Sequence, residues 1–192
     1  MKKIIIGLSS SSAPILGIRL LEILKDETKV ETHLVMSPHL QKTLLSEAPD
    51  YTLEDLKKLA DYVYPIQEVG APIASGSFKA HAMVICPCSM NTLGAIANGL
   101  GANLMTRAAD VTLKERRPLI LVPRETPLNL AHLRNMVSVT EMGGVILPPA
   151  LAFYHQPKTV MDLVDHTVGK VLDLLGIEKN LFKRWEGQKQ GS

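Results

Sequence analysis

The stretch IIIGLSSSSAPILGIRLL, residues 4–21, decides how the rest of the chain is read. An apolar run ends at Leu8, Ser9 to Ser12 follow, and an amphipathic segment opens at Pro14. The run reads as a buried strand, and Pro14 suits the first turn of a helix, where a missing N–H costs nothing. In that helix Leu16, Leu20, Ile23 and Leu24 share one face, while Arg19, Glu22 and Lys25 point away. The serines therefore fill a strand-to-helix turn, with hydroxyls and backbone N–H groups gathered past the strand end. Two readings fit them: ordinary capping, which serine favours, or a cradle for an anion such as phosphate. The loop is neither a Walker A sequence nor a GxGxxG turn.

Working outward, the same strand-then-helix alternation recurs. VETHLVMS (30–37) reads as a strand before a helical piece carrying Glu47, and YTLEDLKKLADY (51–62) as a helix capped by Thr52 with Glu54 and Asp55 in its first turn. AMVICPC (82–88), PLILVP (118–123) and GGVILPP (143–149) read as further strands. They are followed by helices through NTLGAIANGL, from Pro127, and over 157–175. Buried strands alternating with helices predict an α/β, Rossmann-like, doubly wound fold: a mostly parallel sheet with helices on both faces. We expect a single domain over 1–184 and a disordered C-terminal tail over 185–192.

Bulk properties narrow the function. Lys+Arg 21 against Asp+Glu 19 leaves a formal charge of +2, too balanced to imply nucleic acid or a membrane surface as partner. No apolar run approaches the ~18 residues of a membrane span. The opening MKKIIIGL is too short in its apolar part for a signal peptide and reads better as the first strand. Cys86 and Cys88 are too few for a disulfide framework and supply half the ligands of a structural zinc site, so reduced thiols and a cytoplasmic location are expected. HExxH, C-x-x-C, acidic clusters and GxSxG are all missing, which argues against a metal enzyme or serine hydrolase.

In an open α/β sheet, ligands sit beyond the carboxyl ends of the strands. Besides the serine loop, this directs attention to CPCSMNTLGAI, where Ser89 or Asn91 can cap a helix and leave donors free. It also selects LVPRETPLNL, where Thr126 as N-cap and Pro127 at the first helical position would strand Arg124 and Glu125 at the end of a buried strand. Two opposite charges at the ligand edge of a sheet favour function over a solvated surface. The exit ILPPALAFYHQP brings Tyr154 and His155, a weaker signal. Lys114, Arg116 and Arg117 end another helix, which the helix dipole alone would explain. The shared theme is anion binding by small donors, hence a phosphate-bearing cofactor.

At these junctions the chain resembles a known family. ASGSF, CPCSMNTL, TRAADVTLKERRPLILVPRETP, HLRNM and ILPPALAFYHQP are similar to the signatures of UbiX-type flavin prenyltransferases, including proteins known as phenylacrylic or hydroxybenzoate decarboxylase subunits. The resemblance runs from about residue 3 to Trp185. It implies FMN binding in a homo-oligomer, commonly a dodecamer, with sites between subunits and no metal. It implies transfer of a dimethylallyl group from dimethylallyl phosphate to reduced FMN, at N5 and then C6, the product serving a UbiD-type decarboxylase. By position, Ser10, Ser11, Ser12, Ser37, Ser89, Met90, Asn91, Thr92 and Arg124 would contact the flavin. Lys114, Arg124, Tyr154 and Lys170 would grip the prenyl phosphate, and Ser12, Glu47 and Glu125 would handle protons in the same pocket.

Two departures stand out. Where the family has glycines in its first loop, this chain has Ser10 and Ala13, which strains the turn wherever φ must be positive. Lys170 replaces a more usual arginine, keeping the charge and losing the bidentate fork. The glycine losses leave open a flavin-binding paralogue, or an accessory subunit of a decarboxylase, without transferase activity. A flavoprotein cysteine decarboxylase shares the expected fold, but its PxMNxxMW-type motif is replaced here by PRETPLNLAHLRNM.

Overall fold

The computed structural model describes residues 1–185 and 187. In chain order the elements are β1 (Lys2–Leu8), α1 (Pro14–Lys25), β2 (Val30–Met36), α2 (Leu40–Glu47), α3 (Leu53–Leu59), β3 (Tyr62–Tyr64), β4 (Ala82–Cys88), α4 (Met90–Ala97), α5 (Leu104–Lys114), β5 (Leu119–Pro123), α6 (Leu130–Glu141), β6 (Val145–Ile146) and α7 (Val160–Leu174). The strands form one six-stranded sheet in the order β3-β2-β1-β4-β5-β6. Every pairing is parallel, with Ile4 opposite Thr32 on one side and Ala82 on the other.

Strand alternation sorts the core into two layers. Ile4, Ile6 and Leu8 of β1, with Ala82, Val84 and Cys86 of β4, pack against α1, α3 and α7. Ile5, Met83, Ile85, Leu119 and Leu121 pack against α4 and α5 on the other face. β4, and β1 from Ile4 onward, are apolar because both faces are covered, as a parallel sheet requires. Cys86 and Cys88 are fully buried free thiols within β4. Burial raises both, Cys88 to about 12 and Cys86 higher still, so neither ionises near neutral pH.

Three boundaries differ from the expectation. The segment read as one helix over 51–62 ends at Leu59, and β3 follows. The Asp61 carboxylate accepts from the Thr32 N–H (2.7 Å) and hydroxyl (3.0 Å), which draws the chain out alongside β2. The helix expected from Pro127 starts at Leu130, because Asn129, not Thr126, is its cap and forms a capping box with His132. The last strand shrinks to Val145–Ile146 between Gly143, at φ +95°, and the Pro148–Pro149 exit. Of the tail expected over 185–192, residues 186 and 188–192 lie outside the described residues, while the Trp185 ring lies 6.4 Å from that of Tyr154. Among the described residues no helix is long and apolar enough to cross a membrane.

Candidate active site

The chain leaves β1 toward α1 on one face and leaves β4 toward α4 on the other. The β1/β4 boundary is therefore the topological switch point, where an open α/β sheet opens a crevice beyond its strand ends. Buried Ser9 ties the crevice floor together. Its hydroxyl donates to Pro87 O (2.8 Å) and accepts from the Ser89 N–H (2.9 Å). Ser10 donates to the Ser37 hydroxyl (2.7 Å) at the end of β2, and Ser11 donates to Arg124 O (3.1 Å) beyond β5. The serine loop thus touches the exits of β2, β4 and β5, with each hydroxyl directed to a different neighbour.

Ser12 and Ala13 meet a single carboxylate. Glu47, at the C-terminal end of α2, accepts from the Ser12 hydroxyl (2.9 Å) and the Ala13 N–H (2.7 Å). An anion there is favoured by the N-terminus of α1. Ala13 adopts the left-handed region at φ +66°, whereas Ser10 is not among the positive-φ residues. Of the two positions where the resemblance expects glycine, one is strained and the other accepts its side chain without a backbone cost.

A cavity of about 230 Å³ lies on one side of the loop, lined by Ser9, Ser10, Ser37, Ser89, Asn91 and Thr92 among others. Ser89 caps α4 by accepting from the Thr92 N–H (3.2 Å), as expected. Met90, in the first turn of α4, is half-buried with its side chain packed in part against the core. On the other side lies a more apolar cavity of about 430 Å³, framed by Ala13, Leu16, Pro148, Leu151, Val160 and Val164, with Arg124 and Glu125 at its rim. Hydroxyls and helix N–H groups beside an apolar chamber fit a ligand with a phosphate, a polyol and a flat ring, which is the chemistry of FMN. A larger cavity of about 720 Å³, lined by Asp173, Gly176 and Arg184, lies at the far end of α7, away from these loops.

Arg124 and Glu125 are not paired with each other. Glu125 accepts from the Thr126 N–H (3.0 Å), and Arg124 has no ion-pair partner among the described residues. Tyr154 lies in the segment between β6 and α7, its hydroxyl 2.9 Å from His166 Nε2. Lys170 is on α7, 3.8 Å from Asp173. That carboxyl is held below its usual range chiefly by Arg184.

Lys114 stands apart. It ends α5, which runs antiparallel to the strands, so it lies at the amino edge of the sheet, 2.5 Å from Glu115. Arg117 beside it donates to Gly76 O (2.7 Å). Between Lys114 and Arg124 stands the five-residue β5, a span of about 16 Å. One chain therefore gathers Ser10, Ser11, Ser12, Ser37, Glu47, Ser89, Asn91, Thr92, Arg124 and Glu125 around the crevice and leaves Lys114 outside it, while Tyr154 and Lys170 line neither cavity. His166, which the sequence did not single out, is the hydrogen-bond partner of Tyr154. On a helix pattern alone it reads as one more polar-face residue.

Comparison with known proteins agrees with this architecture. The family described as Flavoprotein matches residues 1–175. The flavin prenyltransferase UbiX of Thauera aromatica is 52% identical over 188 residues, covering 98% of this chain and 96% of that one. The crystal structure of AnUbiX (PadA1) in complex with FMN and dimethylallyl pyrophosphate superposes with a TM-score of 0.94 at 46% identity, over 98% of this chain and 99% of the other. A dodecameric FMN-dependent UbiX-like decarboxylase from Escherichia coli O157:H7 gives a TM-score of 0.94 at 45% identity, over 96% and 100%. With half its residues identical along nearly the full length of both chains, and the same fold, the chain belongs to the flavoprotein family and, within it, to the UbiX flavin prenyltransferases.

Proposed function

We propose that the chain transfers a dimethylallyl group from dimethylallyl phosphate to reduced FMN, and that the prenylated FMN serves a UbiD-type decarboxylase in the cytoplasm. The observation that carries this reading is the serine loop at the switch point, with a hydroxyl-lined cavity on one side and an apolar one on the other. Bound reduced FMN supplies the electron-rich acceptor. Ser10, Ser37, Ser89 and the first turn of α4, with Asn91 and Thr92, offer donors to its phosphate and polyol, and Met90 contributes its backbone. The apolar chamber excludes water from an allylic centre that water would otherwise capture. Arg124 at the rim supplies positive charge for the departing phosphate.

Glu47, already bonded to Ser12 and the Ala13 N–H, is the group placed to accept or return a proton at the loop, with Glu125 at the opposite rim. Tyr154 and Lys170, on the β6–α7 segment and α7, line neither cavity of a single chain and would serve a site shared with a second copy. Lys114 completes the cationic set only if a second copy supplies it, which favours a homo-oligomer, with a dodecamer as its form, and sites between subunits. Exposed Leu130, Leu133 and Val137 along α6, with Leu151 and Phe153, offer apolar surface for such contacts. Ala13 tolerates its left-handed backbone while keeping its bond to Glu47, so the lost glycines do not require an inactive paralogue.

The test is anaerobic incubation with reduced FMN and dimethylallyl phosphate, with the pyrophosphate run in parallel, followed by mass spectrometry of the released flavin. The expected product is FMN carrying one dimethylallyl unit. Unmodified FMN from both donors, with an active relative converting its own, would sink the proposal.

A further inference from the structure

His166 is pinned from several sides. Its ring stacks on His155, with centroids 5.0 Å apart and planes 7° from parallel. Phe182 leans on it at 4.6 Å, seated where Gly169 leaves room: a Cβ at Gly169 would come within 2.5 Å of the Phe182 ring. These contacts hold the ring with its Nε2 toward the Tyr154 hydroxyl, 2.9 Å away. Among the described residues both ring nitrogens of His155 are buried without partners, so its contribution there is to stack rather than to share a hydrogen bond.

A phenol has one proton to give and lone pairs to accept with. If Tyr154 spends that proton on His166, nothing remains for an anion. If instead His166 donates from Nε2 to the phenol oxygen, the Tyr154 proton is free for a phosphate oxygen. We propose that His166 is a positioning residue, which donates from Nε2 to Tyr154 and so orients the phenol to donate to the prenyl phosphate. This rests on the assignment of Tyr154 to that phosphate. The charged and titratable neighbours are His155 and Tyr154 on the β6–α7 segment, Lys170 on the same helix, and Arg184 beside Tyr154 on the C-terminal segment. Burial first, then His155 and Lys170, lower the His166 pKa, which favours a neutral ring; the inference places its single proton on Nε2.

The experiment compares KM for dimethylallyl phosphate and FMN affinity across His166→Phe, His166→Gln, Tyr154→Phe and the double variant His166→Phe/Tyr154→Phe. The Phe replacement keeps the stack and removes the donor, and its KM is expected to rise roughly 3- to 10-fold, the loss of one hydrogen bond, with FMN affinity unchanged. The Gln amide can donate again and should restore KM to within about twofold of the parent. In the Tyr154→Phe background the second substitution should add nothing. A normal KM in His166→Phe, or additive losses in the double variant, overturns the inference while leaving Tyr154 in place. A normal KM in Tyr154→Phe removes the phosphate assignment and the role of His166 with it. Should His166→Phe fail to bind FMN, His166→Leu, which also lacks a donor, is held to the same outcomes.

Discussion

Ala13 concentrates the local compromise of this site in one residue. Its backbone sits in the left-handed region at φ +66° while its N–H donates to the Glu47 carboxylate. A side chain in the left-handed region costs about 1–2 kcal/mol. Ala13→Gly should therefore stabilise the protein, by about 0.5–1 kcal/mol once the freer unfolded chain is counted. In a thermal melt this appears as a rise of roughly 2 °C. A lower midpoint would mean that Ala13 is unstrained. The sequence flagged this position because a small non-glycine residue stood where the resemblance expects glycine. It could not say that only Ala13, and not Ser10, needs positive φ, since that depends on where Glu47 arrives from another helix. Ser89 and Asn91 stood out for a different reason, since they open the helix after a buried strand, where such folds bind ligands, whereas Ser37 and Thr92 were read only from the resemblance.

Among the elements, α1 lies tight against the sheet at Gly17. A Cβ at Gly17 would lie 2.1 Å from the carbonyl oxygen of Cys86, a backbone atom of β4 that cannot move aside. Gly17→Ala should cost about 3 kcal/mol or more by overpacking, seen as a drop of roughly 10 °C in the melting midpoint and lost FMN binding as the β1–α1 turn lifts. An unchanged midpoint would show that α1 can slide. Most elements were readable from periodicity because the apolar runs are long. β3 was not, since Tyr62–Tyr64 continues the helical pattern of α3 and only the long-range bond from Asp61 to Thr32 separates them. The start of α6 was misplaced because Thr126–Pro127 imitates a cap, whereas the reciprocal bonds of Asn129 and His132 set the true beginning. Local sequence offered both starts, and the hydrogen bonds selected one.

Across the whole molecule, the opposite placement of Lys114 and Arg124 is the main fact the sequence did not convey, although the signal was present. A residue ending a helix that returns to the next parallel strand lies at the amino edge by construction. If two copies build each site, two crippled chains should repair one another. Lys114→Ala and Arg124→Ala are each expected to lose most transfer activity, and their co-expressed mixture to regain up to about a quarter of the parent rate, the share of sites that draw both intact residues from different copies. A mixture no better than either variant alone would place both residues in one chain's site.

The burial of Cys86 and Cys88 has a practical consequence. With the Cys88 thiol pushed up to about 12, Cys86 higher still and both side chains enclosed in β4, the folded chain presents no reactive sulfur. Treated with a maleimide near neutral pH, it should remain unlabelled until it is denatured. Val160→Cys, at the mouth of the apolar chamber, would then carry the sole accessible handle. A fluorophore attached there would report each prenyl donor entering as a change in emission, turning a chemically mute scaffold into its own optical sensor.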